Sequence, residues 1–304
     1  MADPYGYINF NNQNQSVSPS VSPIAGNAIG IIAVNLNYPK LPGNVANATT
    51  FNFPVDYEVI DLEIEQLFEN DPATVKVIVN AAKNLEARGV KAIVGACGYF
   101  ANFQRQVQAS VHVPVILSSL AQLPLISLSL RANQKIAVLV ADINGADQKL
   151  LNNVNADDRN VIFVDIGSLP EFHAIRYGQT VLDNGALTKA LMQKAQAVVA
   201  NHPEVGAILL ECSDLPPYAA AIQVAAKRPV FDFITLMKIG CISQFAKSHI
   251  LDSSKYKRKE TSCLDVSFSF NKILIISSWK FHDFNRWWLT NQQIRTNIPH
   301  CQLL

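Results

Sequence analysis

Twice in this chain an apolar run ends on a cysteine: A-I-V-G-A leads into Cys97 and V-G-A-I-L-L-E into Cys212. A strand that is apolar on both faces must be covered on both sides, as happens in a parallel sheet between helices. The flanking sequence agrees. Ile29 to Asn35 is an apolar strand, and Tyr57 to Leu62 is a candidate second strand. Pro72 to Arg88 carries apolar residues at helical spacing and stops at Gly89. The strand ending at Cys97 follows. A helix is expected over Phe100 to Ser110, a strand over Val113 to Leu117 and a helical stretch to Arg131.

The rhythm then restarts. Gln134 to Val140 reads as a strand, Ala146 to Val154 as a helix, Asn160 to Asp165 as a strand and Gly185 to Asn201 as a strong helix. The strand Val205 to Leu210 reaches Glu211 and Cys212, followed by a helix over Pro216 to Lys227 and a last strand over Pro229 to Phe233. Two rounds predict an α/β fold of two pseudo-symmetric lobes. Each is a mostly parallel sheet flanked by helices, with the active site in the cleft between them. Residues 27–118, joined by 228–237, form the expected first lobe, and 119–227 the second. Each cysteine falls at the carboxyl end of a strand, where open α/β sheets bind ligands.

The ends differ from this core. Residues 1–26 are rich in Asn, Gln, Ser and Pro, with neither the basic head nor the apolar stretch of a signal peptide. This segment is expected to be a disordered polar tail. Residues 238–304 hold ten basic and four acidic residues, all three Trp, three of the five Cys and one Ala. The α/β rhythm does not continue there. The segment reads as a small appended element or as sequence foreign to the fold, such as translated intron.

Composition narrows the function classes. A net charge of +1 gives no signal for nucleic acid or a membrane surface, and no apolar run is long enough to span a bilayer. Charged residues make up only 16%, which points to apolar surface covered by a second copy, a homodimer. The odd number of cysteines, without a C-x-x-C pair, suits free thiols in a reducing, cytoplasmic compartment. His112 and His173 lack a metal-type partner at i+3 or i+4, Cys241, Cys263 and Cys301 lack zinc spacing, and no glycine-rich phosphate loop occurs. No metal or cofactor is expected.

A thiol starts near pKa 8.5 and is lowered at helix N-termini or beside cations, so two thiols at matching strand ends suit proton transfer at carbon. G-A-C-G-Y-F (Gly95 to Phe100) and L-E-C-S-D-L-P-P-Y (Leu210 to Tyr218) resemble the two cysteine motifs of the aspartate/glutamate racemase superfamily, including its hydantoin-racemase branch. The stretches Gly30 to Val55 and Val113 to Pro124 resemble the same family, so the resemblance covers Ala28 to Leu236.

The resemblance implies a cofactor-independent, metal-free racemase or epimerase. It would move an α-proton of an amino acid or derivative between Cys97 and Cys212. Gly98, Tyr99, Ser213 and Asp214 would line the carboxylate end, and Asn47, Ser118 and Ser119 would complete the pocket. Many racemases of the superfamily carry Cys-Asn-Thr where this chain has Cys97-Gly98-Tyr99, so a hydantoin-type or other carboxylate substrate fits as well as aspartate or glutamate. Rival readings are an isomerase with one nucleophilic cysteine, a decarboxylase with one proton-donating cysteine, and a non-catalytic binder of small carboxylates. Read without the family, Asp214 and the Ser118–Ser119 pair are also ordinary helix caps, and Glu211 is either a modulator of its neighbouring thiol or a strand-end carboxylate.

Overall fold

The structure, a computed structural model, describes residues 26–238. The expected polar tail, apart from Gly26, and the unusual segment beyond residue 238 lie outside it. Two four-stranded sheets, parallel throughout, make up the fold. The first contains β1 (Ile29–Val34), β2 (Val55–Ile60), β3 (Ala92–Gly95) and β4 (Val115–Ile116), in spatial order β2-β1-β3-β4. The second contains β5 (Lys135–Val140), β6 (Val161–Asp165), β7 (Val205–Leu210) and β8 (Val230–Phe231), in order β6-β5-β7-β8. The two orders are the same. In each sheet the chain reverses direction of growth between its first and third strands, which opens a crevice at their carboxyl ends.

The strands form where the sequence is apolar on both faces. All residues of β3 and β7 are buried, as are Ile29 to Ala33 of β1. Helices cover them. In the first half these are α1 (Pro72–Ala87) and α2 (Gln104–Gln108), with α3 (Leu123–Ser129) leading into β5. In the second half they are α4 (Gln148–Asn153), α5 (His173–Arg176), α6 (Asn184–Asn201) and α7 (Ala219–Ala226). Asp71 caps α1 by accepting from the backbone N–H groups of Ala73 and Thr74, and Pro72 occupies the first turn, where its missing N–H costs nothing. After the helix, Gly89 takes φ +90°, the left-handed stop that favours glycine. Asp183 caps α6 in the same way, accepting from Ala186 N–H. Leu85 of α1 is fully buried against Gly30 of β1, where an added Cβ would come within 3.0 Å of the leucine.

Several boundaries differ from those expected. The second strand begins two residues earlier, at Val55, and β4 is only two residues long. The stretch expected as a helix from Phe100 opens as a 3₁₀ turn over Gly98–Phe103 and becomes α-helical only at Gln104. In a 3₁₀ turn residues i and i+3 eclipse, which sends Phe100 and Phe103, both fully buried, to one side. Similarly, Pro216–Tyr218 is a 3₁₀ turn before α7. The lobe boundary is also corrected. Residues 228–237 do not join the first lobe as a block, because β8 pairs with β7 in the second sheet. Only the final helix α8 (Phe233–Lys238) returns to the first lobe, burying Phe233 and Met237 with Ile29, Ile31, Val45 and Val94.

Candidate active site

The two cysteines occupy equivalent places. Ala96 N–H, one residue before Cys97, bonds to Ile32 O of β1 at 2.8 Å. Glu211 N–H, one residue before Cys212, bonds to Leu139 O of β5 at 3.0 Å. Each thiol therefore leaves the third strand of its sheet just beyond the last ladder bond to the first strand. Both face one cavity, whose non-atom space, mouth included, is about 570 Å³. The halves are fastened across it. Ser213 Oγ donates to Ala96 O at 2.8 Å, Val45 N–H to Ser213 O at 3.2 Å, and Tyr99 Oη accepts from Asp142 N–H at 2.7 Å.

Cys212 is 8% exposed, and its Sγ donates to Asp214 Oδ2 at 3.3 Å. The other oxygen of Asp214 accepts from Tyr38 Oη at 2.5 Å and from the side-chain amide of Asn44. Burial raises the Asp214 carboxyl above the usual range, against the opposing pull of the bonds from Tyr38, Cys212 and Asn44. Burial, then the charges of Asp214 and Glu211, push the Cys212 thiol well up. Cys97 is only partly buried by exposure, and desolvation followed by the Glu211 charge raises its thiol too. Burial thus favours the protonated form of both thiols.

Glu211 is fully buried. Its Oε2 accepts from Ala141 N–H at 3.3 Å, while Oε1 has no hydrogen-bond partner. Burial raises its pKa to about 8. Arg176, with a side chain 9% exposed, reaches the cavity from α5 and donates through Nη2 to Glu65 at 2.6 Å and to Asp142 at 2.8 Å. Lys40 also lines the cavity, with Nζ 3.9 Å from the centre of the Tyr38 ring, and burial lowers its pKa against the pull of Asp214.

Of the residues expected at the site, Cys97, Gly98, Tyr99, Cys212, Ser213 and Asp214 line this cavity. Asn47, Ser118 and Ser119 do not. Asn47 caps the 48–50 turn by accepting from Thr49 N–H. Ser118 accepts from Leu120 N–H, and Ser119 donates to Leu210 O at 2.8 Å, tying the exit of β4 to β7. Asp214, expected to face substrate or cap a helix, lines the cavity and is also the acceptor for Cys212. Tyr38, Lys40 and Arg176 were not anticipated. They sit in loops or a one-turn helix with no periodicity to mark them. Among the described residues no group of three or more His, Cys, Asp or Glu could hold a metal ion, and no helix is long and apolar enough to cross a membrane.

No protein-family model matches the chain. It is 30% identical over 216 residues to dimethylsulfoniopropionate lyase from Durusdinium sp. clade D, a match covering 68% of this chain and 71% of that protein. The chain belongs to the dimethylsulfoniopropionate lyase family. Dimethylsulfoniopropionate lyase 3 of Emiliania huxleyi is 32% identical over 222 residues, covering 68% of this chain and 57% of the relative. The chain thus spans little more than half the length of that relative. Among solved structures, a mutant arylmalonate decarboxylase in a sulfate-associated form aligns with TM-score 0.50 and 14% identity, over 72% of this chain and 93% of that one. Glutamate racemase from Francisella tularensis with D-glutamate aligns with TM-score 0.46 and 19% identity, over 76% and 85%.

The two parallel four-stranded sheets flanked by helices are the two-lobed α/β fold that the resemblance implied, and the arylmalonate decarboxylase structure shares it. The function drawn from that resemblance is corrected. The relatives in the dimethylsulfoniopropionate lyase family are lyases, not isomerases acting on amino acids, so the racemase reading and its place in amino-acid metabolism fall. The physical reason is that racemisation and elimination can share their first step. Both take a proton from carbon beside a carboxylate, and a motif that positions a thiol for that step does not say what leaves next.

Proposed function

We propose that this chain is a cysteine-dependent lyase acting on dimethylsulfoniopropionate or a close sulfonio-carboxylate, with Cys212 as the base. The observation that carries this reading is the hydrogen bond from Cys212 Sγ to Asp214 Oδ2, on the wall of the shared cavity. The family relationship supplies the substrate class.

The substrate is a carboxylate whose β-carbon bears a positively charged dimethylsulfonio group. Elimination needs one base. The Cys212 thiol passes its proton to Asp214, whose raised carboxyl accepts it more readily than an exposed aspartate would. The thiolate then takes the α-proton. The C–H electron pair becomes the carbon–carbon double bond, and the electrons of the C–S bond leave with sulfur as neutral dimethyl sulfide. The products are dimethyl sulfide, acrylate and a restored Cys212 thiol, and the proton parked on Asp214 passes to solvent to return the carboxylate for the next turnover. No acid is needed for the leaving group, because it departs without charge. The substrate's cationic sulfur also favours thiolate formation in a cavity that otherwise keeps both thiols protonated. Cys97 then contributes to the cavity wall, since elimination, unlike racemisation, asks no second thiol to deliver a proton.

The full chain incubated with dimethylsulfoniopropionate should release dimethyl sulfide into the headspace, with one acrylate formed for each. A positioned general base contributes roughly 10²–10⁴-fold, so Cys212→Ser should lower the rate by about that factor. Absence of dimethyl sulfide from the folded protein, or an unchanged rate in Cys212→Ser, would overturn the assignment.

A further inference from the structure

The orphaned oxygen of Glu211 has a consequence for how a ligand sits. Glu211 is held from both sides. Its Oε2 accepts from Ala141 N–H beyond β5, and its Oε1 is seated on the bare backbone of Gly98, where an added Cβ would lie 2.0 Å away. The side chain therefore bridges the two lobes at the floor of the cavity, between the loops that carry Cys97 and Cys212. A fully buried oxygen without a partner costs free energy unless something satisfies it, and a carboxyl in an apolar setting does so as a neutral acid with a hydrogen to donate.

We propose that Glu211 is a substrate-binding acid whose Oε1 hydroxyl donates a hydrogen bond to the carboxylate of the bound ligand. The inference rests on the lyase reading only for its ligand class, a small carboxylate. The sulfonio-carboxylate has one hydrogen-bonding group, its carboxylate, so the donor fixes which end enters first. The neighbouring charges agree with this assignment. Arg176 faces the cavity but already shares Nη2 between Glu65 and Asp142, so its charge is largely answered within the protein. An ionised Glu211 would add a third carboxylate and repel the ligand, whereas a neutral one adds a donor. At the other end the Asp214 carboxylate, with Tyr38, Asn44 and Cys212 around it, offers negative charge to a cationic sulfur. The carboxylate end then lies at Glu211 and Gly98, the sulfonium end at Asp214, and the α-carbon within reach of the thiols.

The groups facing Glu211 are Ala141 N–H and Asp142 beyond β5, Asp214 and Cys212 on its own loop, Cys97 and Tyr99 on the first lobe, and Arg176 from α5. Both thiols and Tyr99 are pushed upward, and Asp142 is lowered, its hydrogen bonds from Arg176 and Asn144 outweighing burial. Glu211, at about 8, changes charge just above neutrality.

The test is calorimetric titration of the full chain with acrylate and with dimethylsulfoniopropionate at pH 7 and pH 9, in buffers of differing ionisation heat. If only the protonated acid binds, affinity should fall about tenfold from pH 7 to pH 9 as the competent fraction falls. Near one proton should be taken up per ligand at pH 9 and few at pH 7. Glu211→Gln keeps a donor that cannot ionise, so it should bind at both pH values without proton uptake, and Glu211→Met should bind at least tenfold more weakly at both. Uptake that persists in Glu211→Gln, or a folded wild-type protein that binds neither carboxylate, would overturn the proposal. Failure of the lyase reading looks different: carboxylates would bind with proton uptake, yet no dimethyl sulfide would form.

Discussion

The hydroxyl of Ser213 donates to the carbonyl of Ala96 at 2.8 Å, so the residue after one cysteine is fastened to the residue before the other. The two thiols come from different sheets, and this bond with its neighbours sets how far apart they stand.

Ser213→Ala removes that fastening at a buried site. A net loss of about 1 kcal/mol in stability is expected, the usual worth of one buried hydrogen bond. Dimethyl sulfide release should drop about tenfold, because the cavity, not the chemistry, has loosened. Urea unfolding and headspace assays on the same preparation check both.

Asp214→Asn separates two effects that one carboxylate exerts on Cys212. Removing the negative charge eases thiolate formation, so iodoacetamide should modify the protein faster at a given pH. The proton acceptor is also gone, so turnover should fall by roughly 10²-fold or more. Faster alkylation with slower turnover is the expected pair; slower alkylation would count against the thiol–carboxylate assignment.

Gly98→Ala places a methyl group 2.0 Å from Glu211 Oε1 and 2.5 Å from the Glu211 carbonyl oxygen. Overpacking of this kind costs about 1–3 kcal/mol. Because part of the clash is with backbone, Gly98→Ala combined with Glu211→Ala should recover only part of the loss in thermal melts.

Stability should depend on pH in two opposite ways. Glu211 has a folded pKa of about 8, above its ordinary value of 4.5, so the folded state holds more protons and stability falls as pH rises through about 8. Glu211→Gln should flatten that decline. Glu65 is lowered, chiefly by the hydrogen bond from Arg176, so its contribution is present above the ordinary carboxylate range and lost as pH falls below it. Arg176→Gln should remove that acid-side contribution, as melting temperatures across pH 3 to 9 would register.

Leu85→Ala would open a void between α1 and β1, where Leu85 packs on Gly30 with no exposed surface. A loss of about 2–5 kcal/mol in unfolding free energy is expected, without change in ligand affinity for the protein that remains folded.

The strands around both cysteines were legible because burial on two faces leaves a plain signature in the chain. So was the placement of Cys97 and Cys212, since a strand end in a parallel sheet is a defined position. Tyr38, Asn44 and Lys40 were not legible. They reach Cys212 and Asp214 from a loop some 170 residues earlier, and only the meeting of the two sheets brings them there. Asn47, Ser118 and Ser119 look chemical in the sequence yet spend their polar atoms on local backbone, as such side chains often do. The reaction class was misread for a different reason. The residues that position a base are the same whatever the substrate loses afterwards.

The seat of Glu211 on Gly98 leaves the floor of the cavity no spare volume, since its shape is drawn by main chain on one side and by a wedged carboxyl on the other. Anyone reshaping this protein for a bulkier onium compound should therefore leave the strand ends alone. The adjustable wall is the 36–46 loop, where Leu36 and Ala46 meet the cavity with side chains that make no bond to Asp214.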